Sequence, residues 1–159
     1  MHERTAAIAA IEFALPEREL SNESLSRQFG DWDAEKIREK TGIATRRISG
    51  DRQFASDLGV EAATTLFARG VVATEDIDFL LFCTQSPDYF LPATACTVQS
   101  RLGLAQHCGA IDINQGCSGY VYGLALAKGL IETSAATNVL LITADTYSKF
   151  INPRDRSVR

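Results

Sequence analysis

The sequence has little histidine, tryptophan or methionine: two His, one Trp and one Met in 159 residues. Its four cysteines, Cys83, Cys96, Cys108 and Cys117, form no C-x-x-C pair, and only His2 and His107 could join them. That pattern argues against a zinc site, and the expectation for bound metal is none. Neither sign of charge dominates: 16 Lys and Arg stand against 20 Asp and Glu, a net charge of -4. A general nucleic-acid binder carries a basic excess, so that class is excluded. No apolar run approaches the roughly 20 residues of a membrane-spanning helix. The longest, at residues 79–83 and 139–142, are strand-sized. Met1-His2-Glu3-Arg4 leads into no long apolar stretch, so no secretory signal is expected. A cytoplasmic protein without membrane association and without a disulfide framework follows.

What is present is core. Apolar residues make up 45% of the chain, enough to bury the interior of one compact domain. Residues 6–15 read as a strand stopped by Pro16. A short polar helix is expected over 22–29, closed by Gly30, and a second from its cap Asp33 through Lys40, closed by Gly42. Residues 43–49 read as a basic loop or short strand. A helix from Ser56 or Asp57 to Arg69 places Leu58, Ala62, Thr65 and Leu66 on one face. Residues 79–84 lack polar alternation, as in a parallel strand buried on both faces. Pro87 and Pro92 bracket a loop, and a helix over 94–102 ends at Gly103. A strand over 110–114, a long helix over 118–132 and a strand over 139–144 complete an alternation that argues for α/β with a mostly parallel sheet. Residues 152–159 read as a polar loop that interrupts the chain rather than a packed terminal element.

Cys117 falls where a strand turns into a helix, between Gly116 and Gly119. Unpaired N–H groups and the macrodipole at a helix start favour a thiolate, the nucleophilic form. The glycines permit a sharp turn and close approach of an acyl group, and Gly119 and Gly123 permit close packing of a helix buried all round. On local physics alone Cys117 is either such a nucleophile or a space-filling buried thiol. Gln115-Gly116-Cys117-Ser118-Gly119 comes near a caspase pattern, but that chemistry needs a His about 50 residues upstream, and position 67 is Phe. A cysteine hydrolase is rejected on that ground. Cys83 reads as core, Cys96 as core or interface, and Tyr120 and Tyr122 as core or pocket wall. Lys36, Arg38, Lys40, Arg46 and Arg47 are opposed locally mainly by Glu39. They form either a steering patch for an acidic carrier protein or pantetheine phosphate, or a solvated helix face.

The segment Asp112-Ile113-Asn114-Gln115-Gly116-Cys117-Ser118-Gly119-Tyr120 resembles the active-site segment of ketoacyl-acyl-carrier-protein synthase III, a thiolase-fold family of condensing enzymes. Further landmarks agree in order: Lys40-Thr41-Gly42-Ile43 with Arg46-Arg47-Ile48, Ala55-Ser56-Asp57-Leu58, Asp76-Ile77-Asp78, Pro92 through Gln99, and Asn152 to Arg156. The resemblance covers almost the whole chain. It implies that residues 1–159 are the N-terminal half of a layered two-half α-β-α-β-α architecture whose C-terminal half is absent.

It further implies that Cys117 takes an acyl group from acyl-coenzyme A or acyl carrier protein, and that its backbone N–H serves the oxyanion hole. Decarboxylative Claisen condensation with malonyl-acyl carrier protein would follow, in fatty acid or related biosynthesis. No cofactor is implied beyond the coenzyme A thioester as substrate, and a homodimer is. The family's catalytic His and Asn belong to the other half; His107 does not match that His.

Lys36 stands where many members place a Trp that stacks on the coenzyme A adenine, with Trp32 one helical turn earlier. Lys40 replaces a common Arg, and Arg156 matches a nucleotide-contacting Arg. Leu91 takes the place of a Phe that reaches across the dimer to cap the acyl pocket, which implies room for a primer longer than acetyl. The competing reading is a truncated half that only binds and dimerises.

Overall fold

The computed structural model describes residues 4–30, 32–152 and 154. These fall into two compact units: the described residues up to Ala14 with Phe54–Asp145, and Leu15–Gln53 with the described residues from Thr146 on. The second unit is separate because its short elements find their partners within the same stretch of chain.

In the first unit the order is α3 (Ala55–Ala68), β3 (Phe79–Cys83), α4 (Thr94–Leu102), β4 (Gly109–Ile113), α5 (Gly119–Glu132) and β5 (Val139–Thr143). The three strands form a parallel sheet in the order β4-β3-β5, with Leu81 opposite both Ile111 and Leu141. The β-αβ alternation expected from the sequence is therefore present, since parallel neighbours need helical crossovers. Strand β3 is central and apolar on both faces, as its unbroken apolar run requires: Leu80, Leu81 and Phe82 are 0% exposed. Leu80 and Phe82 join Leu140 and Ile142 in a core with Ala55 and Ala63 of α3 and Ala95 and Val98 of α4.

Helix α3 starts one residue earlier than expected, and Asp57 accepts the Phe54 N–H at 2.7 Å. Its buried face is also shifted. Leu58, Gly59 and Ala63 are buried while Thr65 is exposed. The helix lies with its smallest residue inward, because a Cβ at Gly59 would come within 2.8 Å of the Phe82 ring.

Two further expectations fail. Residues 6–15 form no strand and pair with none among the described residues, and Ile8, Ile11, Phe13 and Leu15 are exposed. Alternation predicts a strand's conformation; it cannot supply the neighbour that completes a ladder. Arg69 instead holds this segment, donating to the Ile11 carbonyl at 3.1 Å and pairing with Glu12 at 2.7 Å. Helix α5 is not buried all round. Only Gly119 and Gly123 are buried, and Tyr120, Val121, Tyr122 and Leu126 are exposed. Its glycine side packs on the sheet, and nothing among the described residues covers the rest.

The second unit contains β1 (Glu19–Ser21), α1 (Asn22–Phe29), α2 (Ala34–Thr41) and β2 (Thr45–Arg47), with β1 and β2 antiparallel. Asp33 caps α2 by accepting the Lys36 N–H at 2.7 Å, and Gly42 ends it in the left-handed conformation at φ 72. Both are as the sequence predicts. No helix among the described residues is long and apolar enough to cross a membrane.

Candidate active site

In a parallel sheet all carboxyl ends lie along one edge, the edge where α/β proteins bind ligands. The β4–α5 turn with Cys117 leaves the sheet there, beside the turn that follows β3 and the residues that follow β5. After Ile113 the chain folds back at once: the Gln115 N–H donates to the Ile113 carbonyl at 3.2 Å, and the Gly119 N–H to the Gly116 carbonyl at 2.8 Å. Ser118 is the cap residue of α5, yet its side chain makes no cap bond. Its hydroxyl donates instead to Gln115 Oε1 at 3.4 Å. The first turn of α5 therefore starts without a capping side chain, and its positive end is left for an anion or developing oxyanion. Cys117, immediately before it, is exposed.

The glycine after this turn is needed for close approach. A Cβ at Gly119 would overlap Cys83 Sγ. Cys83 itself donates to the Gln115 carbonyl at 3.6 Å, so this core thiol forms the floor of the turn. Burial pushes the Cys83 thiol up from its ordinary value, and does the same at Cys108. Both are poor thiolates as a result. Cys83 is thus core as expected, and Cys108 is buried with it. Cys96 is exposed, so it is not core. Tyr120 and Tyr122 are likewise exposed rather than core.

Three residues at this edge were missed as individual contributors by sequence reasoning. Asp112 of β4 accepts the N–H groups of Thr94 and Ala95, both at 2.7 Å, and so caps α4 from another element. The signal was the lack of any capping side chain at Ala93, since a buried helix start needs an acceptor from somewhere. Asp88 accepts the Ser56 N–H at 3.3 Å and hydroxyl at 2.5 Å, and its own N–H donates to Thr94 Oγ1 at 3.3 Å. Arg101 bridges Ser56, at 2.8 Å, and Asp57, at 2.8 Å. These bonds fix the base of the loop 86–92 and leave its tip outward: Phe90 is fully exposed and Leu91 is 86% exposed.

In the second unit, Lys36 and Lys40 are both exposed on α2. The Lys36 ammonium lies 5.6 Å from the centroid of the Trp32 ring, in cation–π range. The basic patch is less free than the sequence suggests. Arg46 donates to Asn22 Oδ1 at 2.8 Å, and Arg47 pairs with Glu19 at 2.8 Å and donates to the Pro16 carbonyl at 3.2 Å. Those partners are 24 to 31 residues away or on a paired strand, outside the local window that made the cluster look unopposed. A cleft of about 370 Å³ in this unit is lined by Arg18, Arg46, Ser49, Asp51 and Lys149 among others; neither Lys36 nor Lys40 lines it. Arg156 lies outside the described residues. Among the described residues no group of three or more His, Cys, Asp or Glu side chains could hold a metal ion.

Comparison with solved structures gives the class of this fold, which is thiolase-like. A solved 3-oxoacyl-(acyl-carrier-protein) synthase III superposes with a TM-score of 0.95 at 58% identity, over 98% of this chain and 46% of that one. The 3-oxoacyl-(acyl-carrier protein) synthase of Burkholderia xenovorans LB400 gives 0.92 at 38% identity, over 98% and 45%. Beta-ketoacyl-[acyl-carrier-protein] synthase III 2 of Halalkalibacterium halodurans is 40% identical over 157 residues, 99% of this chain and 47% of its own length. The family model for 3-oxoacyl-[acyl-carrier-protein (ACP)] synthase III matches residues 111–159. Over almost its whole length the chain is similar to 3-oxoacyl-acyl-carrier-protein synthases III. It spans about half the length of the curated relatives it matches.

Proposed function

We propose that the protein carrying this chain is a 3-oxoacyl-acyl-carrier-protein synthase, with residues 1–159 as its N-terminal half and Cys117 as its acyl-accepting nucleophile. The observation that carries the reading is the β4–α5 turn: an exposed Cys117, an uncapped helix start and a glycine notch over Cys83, in a fold shared with solved members of this family.

In the loading step the Cys117 sulfur attacks the thioester carbonyl of acyl-coenzyme A or acyl carrier protein. A carbon–sulfur bond forms to Cys117, and the carrier leaves as its thiol. N–H groups at the start of α5, the Cys117 N–H first, stabilise the negative charge that develops on the carbonyl oxygen. In the condensing step malonyl-acyl carrier protein loses carbon dioxide. The carbanion equivalent so formed attacks the acyl carbonyl, the Cys117–carbon bond breaks, and a 3-oxoacyl thioester leaves. The groups that polarise the malonyl carbonyl come from the other half of the protein.

Lys36, Lys40 and Arg156 contact the coenzyme A nucleotide and its phosphates, and Trp32, already engaged with Lys36, offers the flat surface for the base. Leu91 lines the acyl pocket, where its small size next to a Phe favours primers longer than acetyl. The enzyme works in fatty acid or related biosynthesis as a cytoplasmic homodimer, with the coenzyme A thioester as substrate and no resident cofactor. The test is intact-mass analysis of the complete polypeptide after incubation with acyl-coenzyme A. One acyl group on Cys117 is expected; a folded protein that takes up none, at any chain length, overturns the reading.

A further inference from the structure

The turn that follows β3 carries a side chain that neither the fold nor the proposed chemistry accounts for. Gln85 is exposed, and its carboxamide lies on the backbone of Gly116, the residue before Cys117. A Cβ at Gly116 would sit 3.0 Å from Gln85 Oε1 and 3.4 Å from Nε2. Glycine at 116 thus makes the seat that the carboxamide occupies.

The base of Gln85 is held with unusual completeness for an exposed residue. Asp145, two residues beyond β5, accepts the Gln85 N–H at 2.8 Å, the Ser86 hydroxyl at 3.0 Å and the Thr84 hydroxyl at 3.1 Å, all on Oδ1. The Ser86 N–H donates to Thr84 Oγ1 at 3.0 Å, and Thr84 and Ser86 are buried. The Thr84 N–H donates to the Ile113 carbonyl at 3.0 Å, which ties this turn to the strand that leads to Cys117. Three strand ends are thereby joined around one side chain.

That carboxamide has no hydrogen-bond partner among the described residues. A packing role at Gly116 needs only volume. An amide adds two N–H donors and an acceptor, held in place beside a nucleophile. We propose that Gln85 is a further substrate-contacting residue of this site. Its carboxamide N–H donates to the carbonyl oxygen of the acyl thioester as the thioester is presented to Cys117, and Asp145 is the positioning residue that fixes it. This rests on the reading of Cys117 as acyl acceptor.

The test measures single-turnover acylation of Cys117 by a panel of acyl-coenzyme A thioesters, followed by intact mass on the complete polypeptide. Gln85→Leu keeps the volume and loses the donor. Its acylation is expected to fall about tenfold, the loss of one hydrogen bond strengthened in the transition state, with its melting temperature unchanged. Gln85→Glu separates contact from packing. A carboxylate cannot donate, whereas a carboxylic acid can. Its rate relative to the unsubstituted protein at the same pH is expected to rise as pH falls from about 8 towards about 5, as the introduced group begins to protonate. A merely structural role would not produce that ratio. Equal acylation by Gln85→Leu and the unsubstituted protein, or a flat pH ratio for Gln85→Glu, overturns the assignment of Gln85 alone. Absence of an adduct on the unsubstituted protein overturns the reading of Cys117 beneath it.

Discussion

Strand β3 and helix α5 are equally apolar in sequence and opposite in environment. From Phe79 to Cys83 no residue is polar, and Leu80, Leu81 and Phe82 lose all contact with solvent. From Gly119 to Ala127 no residue is charged, yet only the two glycines are buried and Val121 is 65% exposed. The difference lies in what surrounds them. Neighbouring strands and helices on both faces enclose β3, whereas α5 meets the sheet along one narrow side, where a Cβ at Gly123 would come within 2.6 Å of Leu141. Apolar sequence marks surface that is meant to be covered and does not say by what. Soluble proteins rarely leave such patches open. Phe90 and Leu91 are outward as well, and the chain spans about half the length of the curated relatives it matches.

The contrast can be broken in several ways. The largest effect is expected at β3: Phe82→Ala leaves a cavity in the enclosed core and should lower the unfolding free energy by about 3–5 kcal/mol in denaturant titration. Gly119→Ala comes next. Its Cβ meets Cys83 Sγ, a buried neighbour with nowhere to move, and overpacking of this kind costs about 1–3 kcal/mol. Thermal unfolding of the variant would reveal it, and an unchanged melting point would mean that the α5 notch is looser than its geometry indicates.

A smaller, pH-dependent effect is expected where the sheet is tied at its other end. Backbone N–H groups of Asn138 and Thr137 hold the Asp78 carboxyl below the usual carboxylate range. A carboxyl whose pKa is lowered by folding stabilises above its unfolded pKa, and that contribution is lost as pH falls through the folded value. Asp78→Asn should therefore be less stable than the parent at neutral pH, by less than about 1 kcal/mol at this half-buried position, and the two should converge in acid. A stability gap that persists below both pKa values would exclude this cause. The smallest effect belongs to α5: Val121→Ser in the 159-residue chain should change stability by no more than about 0.5 kcal/mol. In the complete polypeptide the same change should cost several times more if this face is covered there, and equal values in the two would remove the central contrast.

Much of the fold was legible because its signals are local. Asp33 and Gly42 bound α2 through contacts within a few residues, and the uninterrupted run of β3 announced a strand enclosed on both faces. The strand-to-helix turn that holds Cys117 was legible for the same reason, since its flanking glycines and the following helix are adjacent in sequence. The failures share a different cause. Residues 6–15 have a strand's pattern but no partner, and α5 has a buried helix's composition but one covered side. The inward face of α3 was missed because a glycine, not a large apolar residue, makes its closest approach. Around the site, the bonds from Asp88 to Ser56 and from Asp112 to α4 span 32 and 18 residues, and those from Asp145 to the turn after β3 span about 60. No local spacing encodes such contacts; they exist only once the parallel sheet has brought its strand ends to one edge.

The most direct measurement of the central claim is peptide-level mass spectrometry of the complete polypeptide after brief exposure to acyl-coenzyme A. Cys96 and Cys117 are both exposed thiols, so solvent access alone would label both. The proposed turn chemistry predicts a single acyl group on Cys117, retained in Cys96→Ala and absent in Cys117→Ala. Acylation shared with Cys96, or surviving in Cys117→Ala, would contradict it.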